Sequence, residues 1–294
     1  MNTIAVCIFA FKRIKNLRKL VDDLRKNRLS NRYKFFFFVD RYKKQEDKIK
    51  NLMVLSYLKK KKINFQYKLI VRKKNYGLST NILSGVNYVS KKYPKFIVIE
   101  DDLRIKKKTF SFFNKLLINF KNNSNIFTVT GYNLPEKKIL SINKNLLFSK
   151  RPCSWGWASW SNKWKRIKFN NDYYYKILKN KKICSKIDEY GNDLILMLKK
   201  TLEKKIDSWA VKWAVYHIIN DKLCVYPKKS FINETGFTEN PTNNFFKSSK
   251  FFHKRLIGQN ILKKNKVLED SIFKDIIRRK YNFNFIIKFL KKLN

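Results

Sequence analysis

The sequence predicts an α/β protein with a mostly parallel central sheet, flanking helices and a C-terminal helical tail. Three observations carry this. Several short apolar runs lack polar alternation, which marks strands buried on both faces. These runs alternate with helix-period segments, the spacing of βαβ units. Each strand-like run ends on a polar or charged residue, at the end where open α/β sheets bind ligands.

Taken in order, residues 4–10 form the first strand, and 13–26 a helix with Ile14, Leu17, Leu20, Val21 and Leu24 on one face. Phe35 to Val39 is a second buried strand ending at Asp40, followed by a polar helical segment to Lys60. Residues 65–71 give a third strand, then the turn Asn75-Tyr76-Gly77. Ser79 is placed to cap a helix bearing Ile82, Leu83, Val86 and Val89. Residues 96–99 form the fourth strand, 110–120 a helix and 126–130 a short strand. Trp157, Trp160 and Trp164 have helical spacing, residues 189–204 and 209–220 read as helices, and 223–227 as a strand closed by proline. The expected organisation is a catalytic domain over 1–250, with a ligand-binding half (1–130) and an acceptor-side half (131–250), followed by a basic helical tail over 251–294.

The chain is organised around Phe96-Ile97-Val98-Ile99-Glu100-Asp101-Asp102, an apolar strand running into three acids. With 21 acids among 294 residues, a chance triplet is expected on the order of 0.1 times. Adjacent carboxylates repel, so a strand end that holds them favours a cation. Hard oxygen donors suit Mg²⁺ or Mn²⁺, which leave positions for substrate phosphates. The plainer reading is a solvated acidic turn or a set of helix-capping acids.

Composition narrows the classes. A net charge of +47 attracts polyanions: nucleic acid, anionic lipid or phosphorylated substrates. A hydrophobic content of 44% is too high for a disordered basic tail. Four scattered cysteines form no CxxC or Cys/His cluster, so no zinc signature is present and a reduced, cytoplasmic setting is expected. The absence of GxGxxG and GxxxxGK[ST] disfavours a dinucleotide fold and a P-loop NTPase. No apolar run approaches the ~20 residues of a membrane span. The tail carries twelve Lys/Arg against three acids, and Ile286, Phe289, Leu290 and Leu293 share a helical face. That pattern suits either peripheral contact with an anionic inner membrane face or a helix docked on the core.

Two further stretches stand out. Arg151-Pro152-Cys153-Ser154-Trp155-Gly156-Trp157 opens a segment with four of the six tryptophans within ten residues. Indole can stack on a sugar ring or fill a core. In Ile206-Asp207-Ser208-Trp209, apolar neighbours should hold Asp207 partly buried at a pocket wall, which would make it a better proton acceptor; its alternative is a cap on the helix carrying Trp213.

Together these stretches resemble a glycosyltransferase of the GT-A fold, similar to the bacterial family-2-type sugar transferases with a further likeness to the GlcNAc-transferase I family. The match rests on Arg72 to Asp102, with Asn75-x-Gly77-Leu78 and Glu100-Asp101-Asp102 as a DXD-type motif; on Ser154 to Trp160; and on Asp207-Ser208-Trp209-Ala210 through Asn233-x-x-Gly236-Phe237. The resemblance implies a nucleotide-diphosphate sugar donor, a glycan or glycolipid acceptor, and Mn²⁺ or Mg²⁺. It implies Asp102 as metal ligand, and Glu100 and Asp101 on ribose or sugar hydroxyls. Asp40 would meet the base, and Arg13, Arg72 and Asn75 would lie near the donor. Trp155, Gly156, Trp157 and Trp209 would form the acceptor or sugar wall, with Asp207 as the base of an inverting transfer. Where relatives often carry a histidine after the Gly-Phe loop, Pro241-Thr242-Asn243-Asn244 has none.

Two competing classes remain. A nucleotidyltransferase acting on sugar phosphates would share the sheet and acids, but Ala10-Phe11-Lys12-Arg13 offers no glycine for a phosphate loop. A basic nucleic-acid-binding protein would use the charge, but three acids at its centre and the lack of a nucleic-acid motif argue against specific nucleic-acid binding.

Overall fold

Why the apolar runs lack alternation is visible in the sheet they form. In the computed structural model, which describes residues 3–27, 30–60, 63, 65–234 and 267–282, eight strands lie in one sheet covered on both faces. They are β1 (Ile4–Ala10), β2 (Tyr33–Val39), β3 (Tyr67–Val71), β4 (Lys95–Glu100), β6 (Ile126–Thr130), β7 (Leu146–Ser149), β8 (Trp157–Trp160) and β9 (Leu223–Pro227), in the order β3-β2-β1-β4-β8-β6-β9-β7. β1, β2, β3 and β4 run parallel; β8 is antiparallel to β4 and β6; β9 is parallel to β6, and β7 antiparallel to β9. A small antiparallel pair, β5 (Leu103–Ile105) with β10 (Ile232–Glu234), sits beside it.

Alternate residues of each strand face opposite layers. Ile4, Val6, Ile8, Phe35, Phe37, Ile97 and Ile99 pack against α1 (Ile14–Arg25), α2 (Gln45–Lys59) and α4 (Thr109–Asn119). Ala5, Cys7, Phe9, Phe36, Phe38, Phe96 and Val98 pack against α3 (Gly77–Ser90) and α10 (Trp209–Ile219). The α5 helix (Lys137–Ser141) lies before β7, and α6 (Ser161–Trp164) directly follows β8; α7 (Asn171–Leu178), α8 (Lys181–Asp188) and α9 (Asp193–Leu202) form a helical layer with α10.

Two expectations change. Trp157 and Trp160 lie on a strand, not a helix: Trp157 joins the α3/α10 face while Ala158 and Trp160 join the other. A three-residue spacing fits opposite faces of a strand as well as one face of a helix. Ser79 does not cap α3, which starts two residues earlier. Of the two readings of the tail, its described part fits the docked helix. Residues 271–281 form α11 (Ser271–Tyr281), whose Phe273, Ile276 and Ile277 are buried against β7, β9 and α5. The apolar face at Ile286 to Leu293 and the Gly236-Phe237 loop lie outside the described residues.

Candidate active site

The three acids follow β4, and the chain after β1 closes over them. The Phe11 N–H donates to Asp101 Oδ2 at 3.1 Å, and Arg13 Nη1 donates to Asp101 Oδ1 at 3.2 Å and Asp102 Oδ2 at 2.8 Å. Burial pushes the Asp101 carboxyl up, Arg13 pulls it back, and the Asp102 charge adds to the rise. Burial alone would lower the Arg13 guanidinium; Asp101, Asp102 and Glu100 more than offset it. Arg13 therefore holds the acidic strand end together, a structural partner of the acids rather than only a donor contact. Asp101 is turned inward, whereas Glu100 and Asp102 line a cavity of about 230 Å³.

The same cavity is lined from 206–214, with Asp207 and Trp209, and from 151–155, with Trp155. Asp207 thus faces the same space as Glu100 and Asp102, although 105 positions or more separate them in sequence. It is exposed, not half-buried as its apolar neighbours implied. Nor does it cap α10, whose N-cap position is Ser208. Its Oδ2 instead accepts the Ser79 N–H of α3 at 3.2 Å, and a Cβ on Gly77 (φ +74°) would stand 2.8 Å from that oxygen.

The first turn of α3 is held by a second distant acid. Asp40 Oδ1 accepts the N–H groups of Arg41 (2.9 Å) and Tyr76 (2.8 Å), and Oδ2 that of Gly77 (3.0 Å). Burial raises the Asp40 carboxyl while these N–H groups draw it down. Asp40 accordingly fixes the Asn75-Tyr76-Gly77 turn through backbone donors. Asn75 Nδ2 donates to Arg41 O in the same turn. Arg72 Nε donates to Asn81 Oδ1 at 2.8 Å and Nη2 to Ser84 Oγ at 2.9 Å, with its guanidinium over the Phe38 and Tyr76 rings. Its polar edge is directed into α3 rather than the cavity. The Ser79 hydroxyl is buried with no partner among the described residues.

The tryptophans divide. Trp155 is half-buried at the cavity, edge-on to Tyr132 at 4.7 Å. Trp209 reaches the cavity from α10 while packing 5.4 Å from Trp157. Trp157 itself is fully buried in the α3/α10 core, 4.8 Å from Trp213 and 5.4 Å from Trp164, and does not reach the cavity. Gly156 is also buried; it has φ +64°, and a Cβ there would stand 2.0 Å from Ile232 Cδ1. A close backbone approach explains this glycine, so Trp157 and Gly156 are corrected from ligand wall to core.

Residues without a sequence signal complete the wall. Arg151 donates to both Asp193 oxygens at 2.7 Å and to Tyr190 O at 2.8 Å, and its guanidinium lies 3.6 Å from the Tyr281 ring centroid. Arg151, Asp193 and Tyr281 all line the cavity. Arg151 was legible only as part of the Trp segment; its partners lie far off in sequence.

For a divalent ion, the donor set is Glu100 and Asp102. No group of three His, Cys, Asp or Glu able to hold a metal occurs among the described residues. Two hard carboxylates nevertheless fit Mg²⁺ or Mn²⁺, which are commonly bound through one or two carboxylates plus substrate phosphates and water. His217 plays no part: it is buried, its Nδ1–H donates to Trp213 O and its Nε2 accepts from Thr128 Oγ1, both at 2.9 Å.

The molecule is thus a mixed α/β protein with a mostly parallel sheet and an acidic cavity beside its strand ends. No protein-family model matches the chain, and no curated protein matches it in sequence. Among solved structures, S. aureus TarS aligns with 79% of this chain and 36% of its own at 10% identity and a TM-score of 0.50. A TarS 1–349 structure aligns with 80% and 60% at 11% identity and a TM-score of 0.49. The mannosyltransferase PcManGT from Pyrobaculum calidifontis, in complex with GDP-Man and Mn²⁺, aligns with 45% and 36% at 8% identity and a TM-score of 0.35. The chain therefore spans 60% of one TarS chain and 36% of the other, and the likeness to the latter is one of fold.

Proposed function

We propose that the protein is a glycosyltransferase of the GT-A fold, transferring a sugar from a nucleotide-diphosphate donor to a hydroxyl of a glycan or glycolipid with inversion, in cell-surface glycan synthesis. One observation carries the reading: Glu100, Asp102 and Asp207, from two remote stretches, line one cavity whose walls include Trp155 and Trp209. Fold alone would not assign an activity. Chemically, sugar transfer needs a proton acceptor near the attacking hydroxyl and compensation of charge on the leaving diphosphate. Asp207 would take the acceptor proton, with the first turn of α3 orienting its carboxylate. Trp155 and Trp209 would offer apolar faces to sugar rings. Glu100 and Asp102 would hold Mg²⁺ or Mn²⁺, which when bound neutralises developing negative charge on the diphosphate. Kinship with family-2-type and GlcNAc-transferase I enzymes, the halves meeting near residue 130, and a membrane contact through the tail belong to the same proposal. No helix among the described residues is long and apolar enough to cross a membrane.

The test is donor hydrolysis and transfer across a panel of nucleotide sugars, with Mn²⁺ or excess chelator. Mn²⁺-dependent release of nucleoside diphosphate, abolished in Asp102→Asn with the far-UV circular dichroism kept, is the expected result. Full activity in that variant or in chelator overturns the metal assignment. Release of pyrophosphate from nucleoside triphosphate and sugar phosphate would instead identify a nucleotidyltransferase.

A further inference from the structure

The α2 helix is apolar on both sides. Val54, Leu55 and Leu58 face the core. On the outer side Ile49, Leu52 and Met53 are 73%, 42% and 48% exposed. Their i, i+3, i+4 spacing puts them on one stripe, continued by Ser56 and Lys60. A surface helix normally turns polar residues outward, and among the described residues this stripe stays exposed.

Its surroundings are cationic. Lys43, Lys44, Lys50, Lys59 and Lys60 are exposed around it, and Lys59-Lys60 open a run of four lysines in the sequence. The acids of the helix do little to cancel this: Asp47 is buried and paired with Lys12 at 2.7 Å, and Glu46 lies 3.5 Å from Lys44. Beside Leu52, Arg41, Ser56, Lys59 and Lys60 border a shallow cleft. Exposed apolar side chains ringed by lysine suit a surface that is anionic outside and apolar beneath, the make-up of an acidic lipid leaflet.

We infer that the outer face of α2 docks on anionic membrane, with Ile49, Leu52 and Met53 inserted at the headgroup–acyl boundary and the lysines on lipid phosphates. The helix is fixed to the sheet end that carries the candidate site: Asn51 Nδ2 donates to Phe11 O at 2.7 Å and to Asp40 O at 2.8 Å. Docking would therefore orient that end relative to the bilayer. The surface is distinct from the tail, and the inference does not rest on the sugar-transfer reading.

The experiment is sedimentation of the full chain with phosphatidylcholine vesicles containing 30% phosphatidylglycerol, or none, at low and high salt. The variants are Ile49→Ser/Leu52→Ser/Met53→Ser, and a control trio of scattered exposed apolar residues, Ile118→Ser/Tyr175→Ser/Leu268→Ser. All six positions are solvent-exposed. Wild type and control trio should bind anionic vesicles in a salt-sensitive way, and the α2 trio should partition roughly tenfold or more weakly. Neutral vesicles should bind neither. Equal binding by the α2 trio overturns the inference, because overall positive charge or the tail then suffices. So does a wild-type dimer that the α2 trio dissociates without a change in vesicle binding, which would make the stripe an interface between copies of the chain.

Discussion

Removing Asp193 should unfold much more than a surface carboxylate would. Its side chain is 3% exposed and that of Arg151 9%. The pair joins β7's exit to α9, and Tyr281 of α11 lies on the guanidinium. Burial alone would depress Arg151; Asp193 reverses that and leaves it raised. In Asp193→Ala the guanidinium keeps Tyr190 O and the Tyr281 ring but loses both carboxylate bonds. Breaking a buried pair from one side costs about 3–5 kcal/mol, and the surviving partners place this case near 3. With a urea m-value on the order of 3 kcal/mol/M, the midpoint should fall by roughly 1 M. Replacing both partners, Arg151→Met/Asp193→Leu, should recover a large part of that loss, because no unpaired charge stays buried. Urea titrations by circular dichroism measure all three variants. An Asp193→Ala midpoint within roughly 0.2 M of wild type, at unchanged m, would refute the idea that this pair clasps α11 to the cavity wall.

Other expectations are more local. Asp207→Asn can still accept the Ser79 N–H, so stability should change by less than ~1 kcal/mol while turnover falls ~10²–10⁴-fold with donor affinity kept; wild-type turnover would make Asp207 structural. Gly156→Ala combines a left-handed backbone with a clash on buried Ile232 and should cost about 2–4 kcal/mol in a thermal melt. A loss within experimental error would mean the loop can relax. Burial depresses His217 from 6.5 to about 4. Its unfolded pKa is the higher one, so the unfolded chain protonates first as pH falls. That stability is complete above pH ~6.5 and declines between ~6.5 and ~4, by up to ~3 kcal/mol. His217→Gln should flatten the profile across that window, and an unchanged slope would assign the loss to other groups.

Much of the left half of the sheet was legible because each strand there is a self-contained signal. Phe35 to Val39 can only be covered on both sides, and β1, β2 and β4 run as read. In the right half β6 and β9 also run as read, but β7 and β8 were not legible. β7 is a four-residue strand, and β8 carries two tryptophans whose spacing fits helix and strand alike. Only pairing with β4 and β6 decides between them, and that pairing is not a local property. The tryptophan cluster likewise gave residue types suited to sugar binding without saying which rings other rings would cover. Trp157, Trp164, Trp209 and Trp213 pack on one another, and of these Trp209 and Trp213, together with Trp155, line the cavity.

The acids teach the same point more sharply. Five carboxylates were expected to meet ligands, Asp40, Glu100, Asp101 and Asp102 at strand ends and Asp207 before a helix, and two of them, Asp40 and Asp101, turn to the protein's own donors. The difference lies in what stands opposite. Asp40 meets three backbone N–H groups at the start of α3, and Asp101 meets the Phe11 N–H and Arg13; both are satisfied without a ligand. Asp102 shares Arg13 yet also lines the cavity with Glu100 and Asp207. Three carboxylates around one small space repel unless a cation or proton enters. A chain with 68 Lys and Arg against 21 acids could have neutralised that space with its own side chains. Instead Arg13 orders Asp101 and Asp102, Arg151 on the cavity wall is taken up by Asp193, and Glu100, Asp102 and Asp207 share the same cavity. That arrangement concentrates carboxylates at the cavity of a molecule whose net charge of +47 otherwise attracts anions.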